Sequence, residues 1–383
     1  MPTCESSAVI SLRSTRVRTK ISSVAVLSLL SFPMMVSAGD GLASWKLDIG
    51  VSSVYDNNIL RYSDKYVARF DNREDEGRFH INTRDDLILV SSIRASATMK
   101  LNGSLNTTGA VDVRRRTYTH NPIKNWSYFS ISLRQDLSKQ TAAQIGYNYI
   151  PGFYVRHYRD DDWVKEHGYT PISFQSYDFK KDEIGGWVQY ALFSGTRVRA
   201  LFSYMRYFYN EHFTEYDGKN SLFGIQLYQT IHKNFRVNGR FEVVYSRGEG
   251  NVDMDPSFDE NTFLLGAELQ LPKVFGRTNS VGIDGEYSLR YYTSTHFLEL
   301  DQNHAGRQDF DYRLSATYTF ELLDNLELAL NYAWHRRDTE TSAAQNATYL
   351  SDEKDYRQYQ IGLEAKYTLN FLPSDNSEFE RRK

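Results

Sequence analysis

The sequence predicts an all-β protein: a transmembrane, antiparallel, up-and-down β-barrel of about 14 strands. Three observations carry that prediction. Apolar residues recur at every second position along most of the chain, and the connections between the alternating stretches are short and long in turn. Beyond residue 38 no stretch reaches the roughly 18 apolar residues of a membrane helix. Composition agrees: 28 Tyr and 22 Phe stand against only 8 Pro, and Tyr and Phe favour pleated surfaces and membrane interfaces. The mean hydropathy of −0.56 fits strands that are apolar on one face only.

The first 38 residues have the order of a secretory signal. Arg13, Arg16, Arg18 and Lys20 precede an apolar run over 21–32, and "PMMVSA" places the small residues Val36 and Ala38 ahead of a cleavage site before Gly39. The run is too short to span a membrane. Cys4, the one cysteine, falls inside this segment, so neither a disulfide nor thiol chemistry is expected of the mature chain. Cys4 also precedes the apolar run and is not placed for lipid attachment. Without the signal, 41 basic residues face 47 acidic ones, which argues against nucleic acid as a partner.

Alternation then defines strands over 45–51 and 87–101, followed at once by the hairpin signal "NGS" at 102–104. Further strands follow over 105–113, 129–137, 143–149, 184–192, 198–208, 223–231, 235–245, 263–271, 281–291, 310–322, 326–334 and 359–371. The connections after even strands are short: "NG", "SKQ", "FSGT", "HKN" and "LDN", with "PKVFGRTN" intermediate. Those after odd strands are long and polar: 56–83, 114–126, 150–177, 209–220, 246–261, 292–308 and 335–355. Short turns at one end and long loops at the other mark barrels of the outer-membrane type. A soluble sandwich also alternates, but it leaves edges to protect and does not sort its connections this way. The barrel domain is expected over 39–371, with 372–383 a periplasmic C-terminal tail.

In the last strand Tyr359, Ile361, Leu363, Ala365, Tyr367, Leu369 and Phe371 would face lipid, with Gln360, Glu364 and Lys366 facing the lumen. Tyr55, Tyr118, Trp126, Tyr128, Tyr149, Phe208, Tyr245, Tyr291, Tyr312, Trp334 and Tyr359 are expected to form an outer interfacial girdle. Phe235, Phe320 and Phe371 would lie nearer the turns.

If the apolar set faces lipid, the alternate set lines the interior, and its charges are segregated. A basic wall of Arg94, Arg114, Arg116, Arg134, Arg197, Arg199, Arg236 and Arg240 would face an acidic wall of Glu268, Asp284, Glu286, Asp311, Glu321 and Glu364. Opposed charges across a water-filled lumen favour polar solutes and set ion selectivity. The competing expectation is that these charges pair across strands and fill the interior. Fourteen strands lie between filled eight-stranded and open sixteen-stranded barrels, and a long loop such as 150–177 could fold inward and narrow the bore.

Two stretches resemble known families. "QIGLEAKY" at 360–367 resembles the insertion signal of bacterial outer-membrane proteins, with Gln360, Gly362, Ala365, Tyr367 and the aromatic Phe371 at its places. The usual pattern ends at an aromatic, whereas here "LPSDNSEFERRK" follows. "GVSSVYDNNILRYSD" at 50–64 resembles the first strand and loop of the putative β-barrel porin family, some of whose members lie beside exopolysaccharide-export genes; Tyr55, Asp56, Asn58 and Ile59 carry the match. Read without the resemblance, "DNN" is a good turn sequence.

Enzyme chemistry is not expected. No Ser–His pair on neighbouring strands stands out, nothing resembles a phosphate-cradling Gly loop, and nearly all nine His fall in loops or at outer strand ends. "RDDDW" at 159–163 and "NVDMDPSFDE" at 251–260 read as solvated loop charge, since Pro256 and the lack of a following Gly spoil a calcium loop. No metal and no cofactor is expected. The expected partners are outer-membrane lipid and lipopolysaccharide, the barrel-insertion machinery and small hydrophilic solutes. The expected role is a porin-like channel in the outer membrane of a Gram-negative cell, conducting small hydrophilic solutes or ions. The alternatives are an accessory barrel in exopolysaccharide or protein export, a surface-attachment protein, and a barrel-embedded lipid enzyme.

Overall fold

Every expected strand forms, and the sheet closes on itself. The structure is a computed structural model describing residues 42–75, 77–101 and 105–371. The expected signal peptide over 1–38, the "NGS" turn and the expected tail over 372–383 lie outside the described residues. In chain order the strands are β1 (Leu42–Asp56), β2 (Asp86–Leu101), β3 (Leu105–Tyr118), β4 (Trp126–Asp136), β5 (Thr141–Arg159), β6 (Phe174–Phe193) and β7 (Thr196–Tyr209). They continue as β8 (Gly218–His232), β9 (Phe235–Gly248), β10 (Phe258–Gln270), β11 (Asn279–Tyr292), β12 (Arg307–Leu323), β13 (Leu326–Thr341) and β14 (Tyr356–Phe371). Each pairs with its sequence neighbours, and β1 pairs antiparallel with β14 to complete the barrel. Closure leaves no edge, which is the only way a sheet satisfies its backbone in hydrocarbon.

Strands spaced about 4.8 Å and tilted about 40° close, at this strand number, with a backbone radius of roughly 14 Å. The registers fix which residues share a face. Asp48 pairs with Arg94, Arg94 with Asp112 and Asp112 with Ser130, so the polar set forms one continuous surface around the barrel. The apolar set forms the other, where Leu265 is 71% and Leu363 56% exposed. An apolar belt of this extent is stable only against hydrocarbon.

Two expectations need correction. The connection 150–177 is shorter than its composition implied, because β5 runs on to Arg159 and β6 begins at Phe174. Pro151 and Gly152 break the alternation, but register shifts between Ile150/Phe153 and Tyr154/Arg156 absorb the break and the ladder resumes. Tyr118, Trp126 and Tyr128 do not belong to the outer girdle: their partners Ile88, Arg116 and Arg114 put them on the inward face. "PKVFGRTN" folds as a miniature hairpin, with Phe275 and Gly276 at positive φ inside a Val274–Arg277 bridge.

Three short helices sit in the long connections: α1 (Asp64–Asp71), α2 (Asp161–His167) and α3 (Ala347–Lys354). Ser63 caps α1 by accepting a hydrogen bond from the Tyr66 backbone N–H. Among the described residues no helix is long and apolar enough to cross a membrane; the strands do the crossing.

Candidate functional site

The first long connection turns into the barrel instead of out to solvent. Gln358 Nε2 donates to both Asp56 carboxylate oxygens at 2.9 and 2.8 Å, and Asp56 Oδ1 accepts from the Asn58 backbone N–H at 2.9 Å. Asn58 in turn accepts from the Tyr62 N–H at 2.8 Å and donates to the Tyr62 carbonyl at 2.8 Å and the Arg357 carbonyl at 3.1 Å. The Tyr-Asp-x-Asn motif is therefore the hinge that directs residues 59–81 inward.

That segment buries an apolar core against the inner wall. Ile59, Leu60, Tyr62, Tyr66 and Ile81 pack with Ile88 of β2, Tyr118 of β3 and Tyr154 of β5. Ile88 and Tyr118 face the lumen, so the segment lies within the rim as a lid. On one side it is tied to α3: Lys65 pairs with Glu353 at 3.0 Å, Tyr66 Oη donates to Glu353, and Ser63 Oγ donates to the Asp352 carbonyl. On the other it meets β5 and β6. Arg156 Nη2 donates to the Leu60 carbonyl, with the guanidinium over the Tyr62 ring at 4.9 Å. His80 stacks on His157 at 3.6 Å, and Arg78 lies over both Tyr66 and Phe174. Gly77, at φ 88°, passes so close to the Pro171 carbonyl that a Cβ there would collide with it.

Lys124, in the β3–β4 connection, supports this lid and is only 4% exposed. Its Nζ donates to the Tyr154 carbonyl at 3.0 Å and lies over the Phe153 ring. Burial, then the nearby Arg156 and Arg61, push its pKa down to about 7. Between there and the ordinary lysine value of about 10.4 the unfolded chain holds a proton that the folded chain does not, so stability rises with pH across that window. Below about pH 7 both states are charged and the penalty is fully present. Urea unfolding at pH 6.5, 8.5 and 10 is expected to show this rise, about 1.4 kcal/mol per pH unit at most, and Lys124→Met to lack it. Parallel slopes for the two proteins would refute the assignment.

The inner wall opposite is an ion-pair network at the loop end of β10–β13. Arg290 Nε donates to Glu260 at 2.7 Å, Arg307 makes two bonds of 2.7 Å to Asp309, and Arg337 reaches Asp311 at 2.9 Å and Asp309 at 3.6 Å. His335 adds a 2.9 Å bond to Asp311. Asp311 thus carries a matched charge.

Along the rest of the inner wall the expected residues separate into two sets. Arg114 pairs with Asp112 at 2.9 Å, Arg134 with Asp136 at 3.0 Å, Arg236 with Glu268 at 3.2 Å, and Arg240 with Glu242 at 3.4 Å and Glu286 at 4.0 Å. Among the described residues no carboxylate lies within ion-pair distance of Arg94, Arg116, Arg197 or Arg199, and no cation within that distance of Asp284, Glu321 or Glu364. Arg116 lies over Trp126, and Glu321 accepts from Thr278. The inward positions around them are small or polar, among them Gly50, Ser92, Ser130, Gly146, Ser203 and Gly266.

At the closing seam Gln360 donates to Asp56 at 2.7 Å, while Gly362 lies opposite Val54, Ala365 opposite Val51, Tyr367 opposite Ile49 and Phe371 opposite Trp45. A Cβ on Gly362 would press on the Val54 side chain. The loop acids serve the loops: Asp160 caps α2 and bonds His212 at 2.9 Å, and Lys165 bridges Asp162 and Asp253. Among the described residues no group of three metal-ligating side chains is assembled.

Sequence reasoning missed the lid and its clamps Arg156, Lys124 and Glu353. The available signal was the apolar content of the connection: Ile59, Leu60, Tyr62, Tyr66, Val67, Phe70, Phe79 and Ile81 are more than a solvated loop needs.

A closed barrel of 14 antiparallel strands, apolar outside and charged within, with its short turns at one end, is a transmembrane barrel of the outer-membrane type. Among solved structures the chain is similar to a bacterial polysaccharide outer membrane secretin, with TM-score 0.46 and 7% identity over 85% of this chain and 98% of that one. It is also similar to the outer membrane channel DcaP of Acinetobacter baumannii, with TM-score 0.45 and 11% identity over 85% and 97%. An anion-selective porin from Comamonas acidovorans matches with TM-score 0.41 and 10% identity over 87% and 100%. No protein-family model matches the sequence, and no curated protein matches it. At these identities and TM-scores the likeness says nothing about the solute.

Proposed function

We propose that the protein is a porin-like diffusion channel for small hydrophilic solutes or ions in the bacterial outer membrane, lidded at its loop end. One observation carries this reading. Arg94, Arg197 and Arg199 and the carboxylates Asp284, Glu321 and Glu364, inward-facing between the middle of the barrel and the turns, have no ion-pair partner among the described residues. A charge without a partner is tolerated only in water, because desolvating it costs several kcal/mol. That part of the lumen is therefore hydrated, and the small residues between the charges leave room for solute. Lipid and lipopolysaccharide would contact the apolar belt, and the seam residues Gln360, Gly362, Ala365, Tyr367 and Phe371 would present the insertion signal.

Single-channel currents of the folded protein in planar bilayers test the reading. Converting Arg197 and Arg199 to Glu changes the lumen by four charge units, each worth about 0.4 kcal/mol at 10 Å in water. The anion-to-cation permeability ratio is expected to fall roughly tenfold at low salt and less at 0.1 M. No conductance from the folded protein, with or without the lid, would sink the channel reading. The lid favours a second reading, a gated barrel serving an export system, which predicts conductance only after the lid is displaced.

A further inference from the structure

Arginines and aromatic rings alternate at the turn-side end of the lumen. The Arg199 guanidinium of β7 lies over Trp187 of β6 at 4.3 Å and over Tyr228 of β8 at 5.1 Å. Arg197 lies over Tyr228 at 5.6 Å, and Arg134 of β4, which also pairs with Asp136, lies over Trp187 at 6.0 Å. Arg199 is fixed in place: Nη2 donates to Gln189 Oε1 at 2.9 Å and Nη1 to Tyr228 Oη at 3.2 Å. Its Nε is buried and has no hydrogen-bond partner. The inward acids on the cluster's strands and on β9 are already engaged: Asp136 by Arg134, Glu183 by Lys181 and Glu242 by Arg240.

Two recognition chemistries meet here. Guanidinium groups bind carboxylates through paired, charge-assisted hydrogen bonds. Trp and Tyr faces, flanked by guanidinium planes, offer flat surfaces to the C–H face of a sugar ring. A small inorganic anion would use only the first and a neutral sugar only the second. From β4 to β8 the cluster spans four strand spacings, about 19 Å, wider than one sugar ring.

We propose that Arg134, Trp187, Arg197, Arg199 and Tyr228 form a binding site for carboxylate-bearing oligosaccharides at the turn-side end of the lumen. The site rests on the hydrated lumen of the channel reading for access. Because the opposite mouth is lidded, the ligand enters from the turn side.

Calorimetric titration of the folded, full-length mature barrel in detergent tests the site without needing conduction. Tetragalacturonate is expected to bind about tenfold more tightly than maltotetraose or citrate, the difference made by one added charge-assisted contact or stacking surface. Arg199→Gln and Trp187→Ala should each weaken it about tenfold, while Trp187→Phe, which keeps a ring, retains most of the affinity. Arg84→Gln, in the lid's exposed margin, should change nothing. Equal binding of maltotetraose would overturn the role of charge, and equal binding of citrate would reduce the cluster to a bare anion site. Unaltered affinity in Arg199→Gln, or no binding of tetragalacturonate, would overturn the proposal. Binding without conductance would leave the site standing and remove the channel; conductance without binding would do the reverse.

Discussion

Replacing residues 59–81 by a short Gly–Ser linker is expected to raise single-channel conductance several-fold while the barrel stays folded. The strand ladders are complete without this segment: β1 and β2 pair from Asp56–Asp86 down to Leu42–Met99. Changing the length of a flexible connection costs only about 0.6 kcal/mol per doubling. What is lost is the apolar cluster of Ile59, Leu60, Tyr62, Tyr66 and Ile81, which uncovers Ile88, Tyr118 and Tyr154 to lumen water. Each uncovered side chain costs about 1.5–3 kcal/mol, enough to lower the unfolding midpoint but spread over a wall held by its ladders. In exchange, the apolar lid at the loop-end mouth disappears. A milder variant reports on the same element. Glu353→Gln weakens the acceptor of both Lys65 and Tyr66 and should raise the frequency of opening events without changing the fully open current. Identical conductance in the intact and excised proteins would show that the lid obstructs nothing.

Asp309→Ala is expected to be the most damaging single substitution in the wall, at about 3–5 kcal/mol. The Asp309 side chain is fully buried and takes two bonds from Arg307, itself only 4% exposed, with Arg337 at 3.6 Å and a further bond from Thr339 Oγ1 at 3.2 Å. Removing the carboxylate strands the Arg307 charge away from water, and that uncompensated cation sets the cost. Asp309→Asn keeps the shape and the Thr339 bond and should lose less. Arg236→Gln makes the contrast. Its pair with Glu268 has side chains 56% and 45% exposed, and such pairs are worth about 1 kcal/mol or less. Urea midpoints of the three variants in one detergent should fall in that order. Equal midpoints for Asp309→Ala and Arg236→Gln would mean that the network is hydrated and holds nothing together.

Strand number, strand order and the lipid-facing set were legible in the sequence because a membrane leaves the chain little choice. Hydrocarbon outside and polar lumen inside impose a period of two on every crossing, and short turns force neighbours in sequence to pair. The strand ends misjudged most, the end of β5 at Tyr149 and the start of β6 at Ile184, failed where Pro151 and Gly152 broke that period and a local bulge repaired it.

Partners were another matter. That Arg236 meets Glu268 while Arg199 meets only Trp187, Gln189 and Tyr228 depends on the stagger between neighbouring strands, which no single strand encodes. Likewise, Asp311 reads as an open acid until β13 brings Arg337 and His335 beside it. The lid shows the same division. The sequence supplied its apolar residues and its Asp56–Asn58 hinge, but only a closed barrel provides the inward Ile88, Tyr118 and Arg156 against which they settle. The sequence by itself determined the faces, because solvent on each side of the wall acts on one residue at a time. The tertiary structure decided which charges are matched and which end is covered, because those depend on distances between residues far apart in the chain.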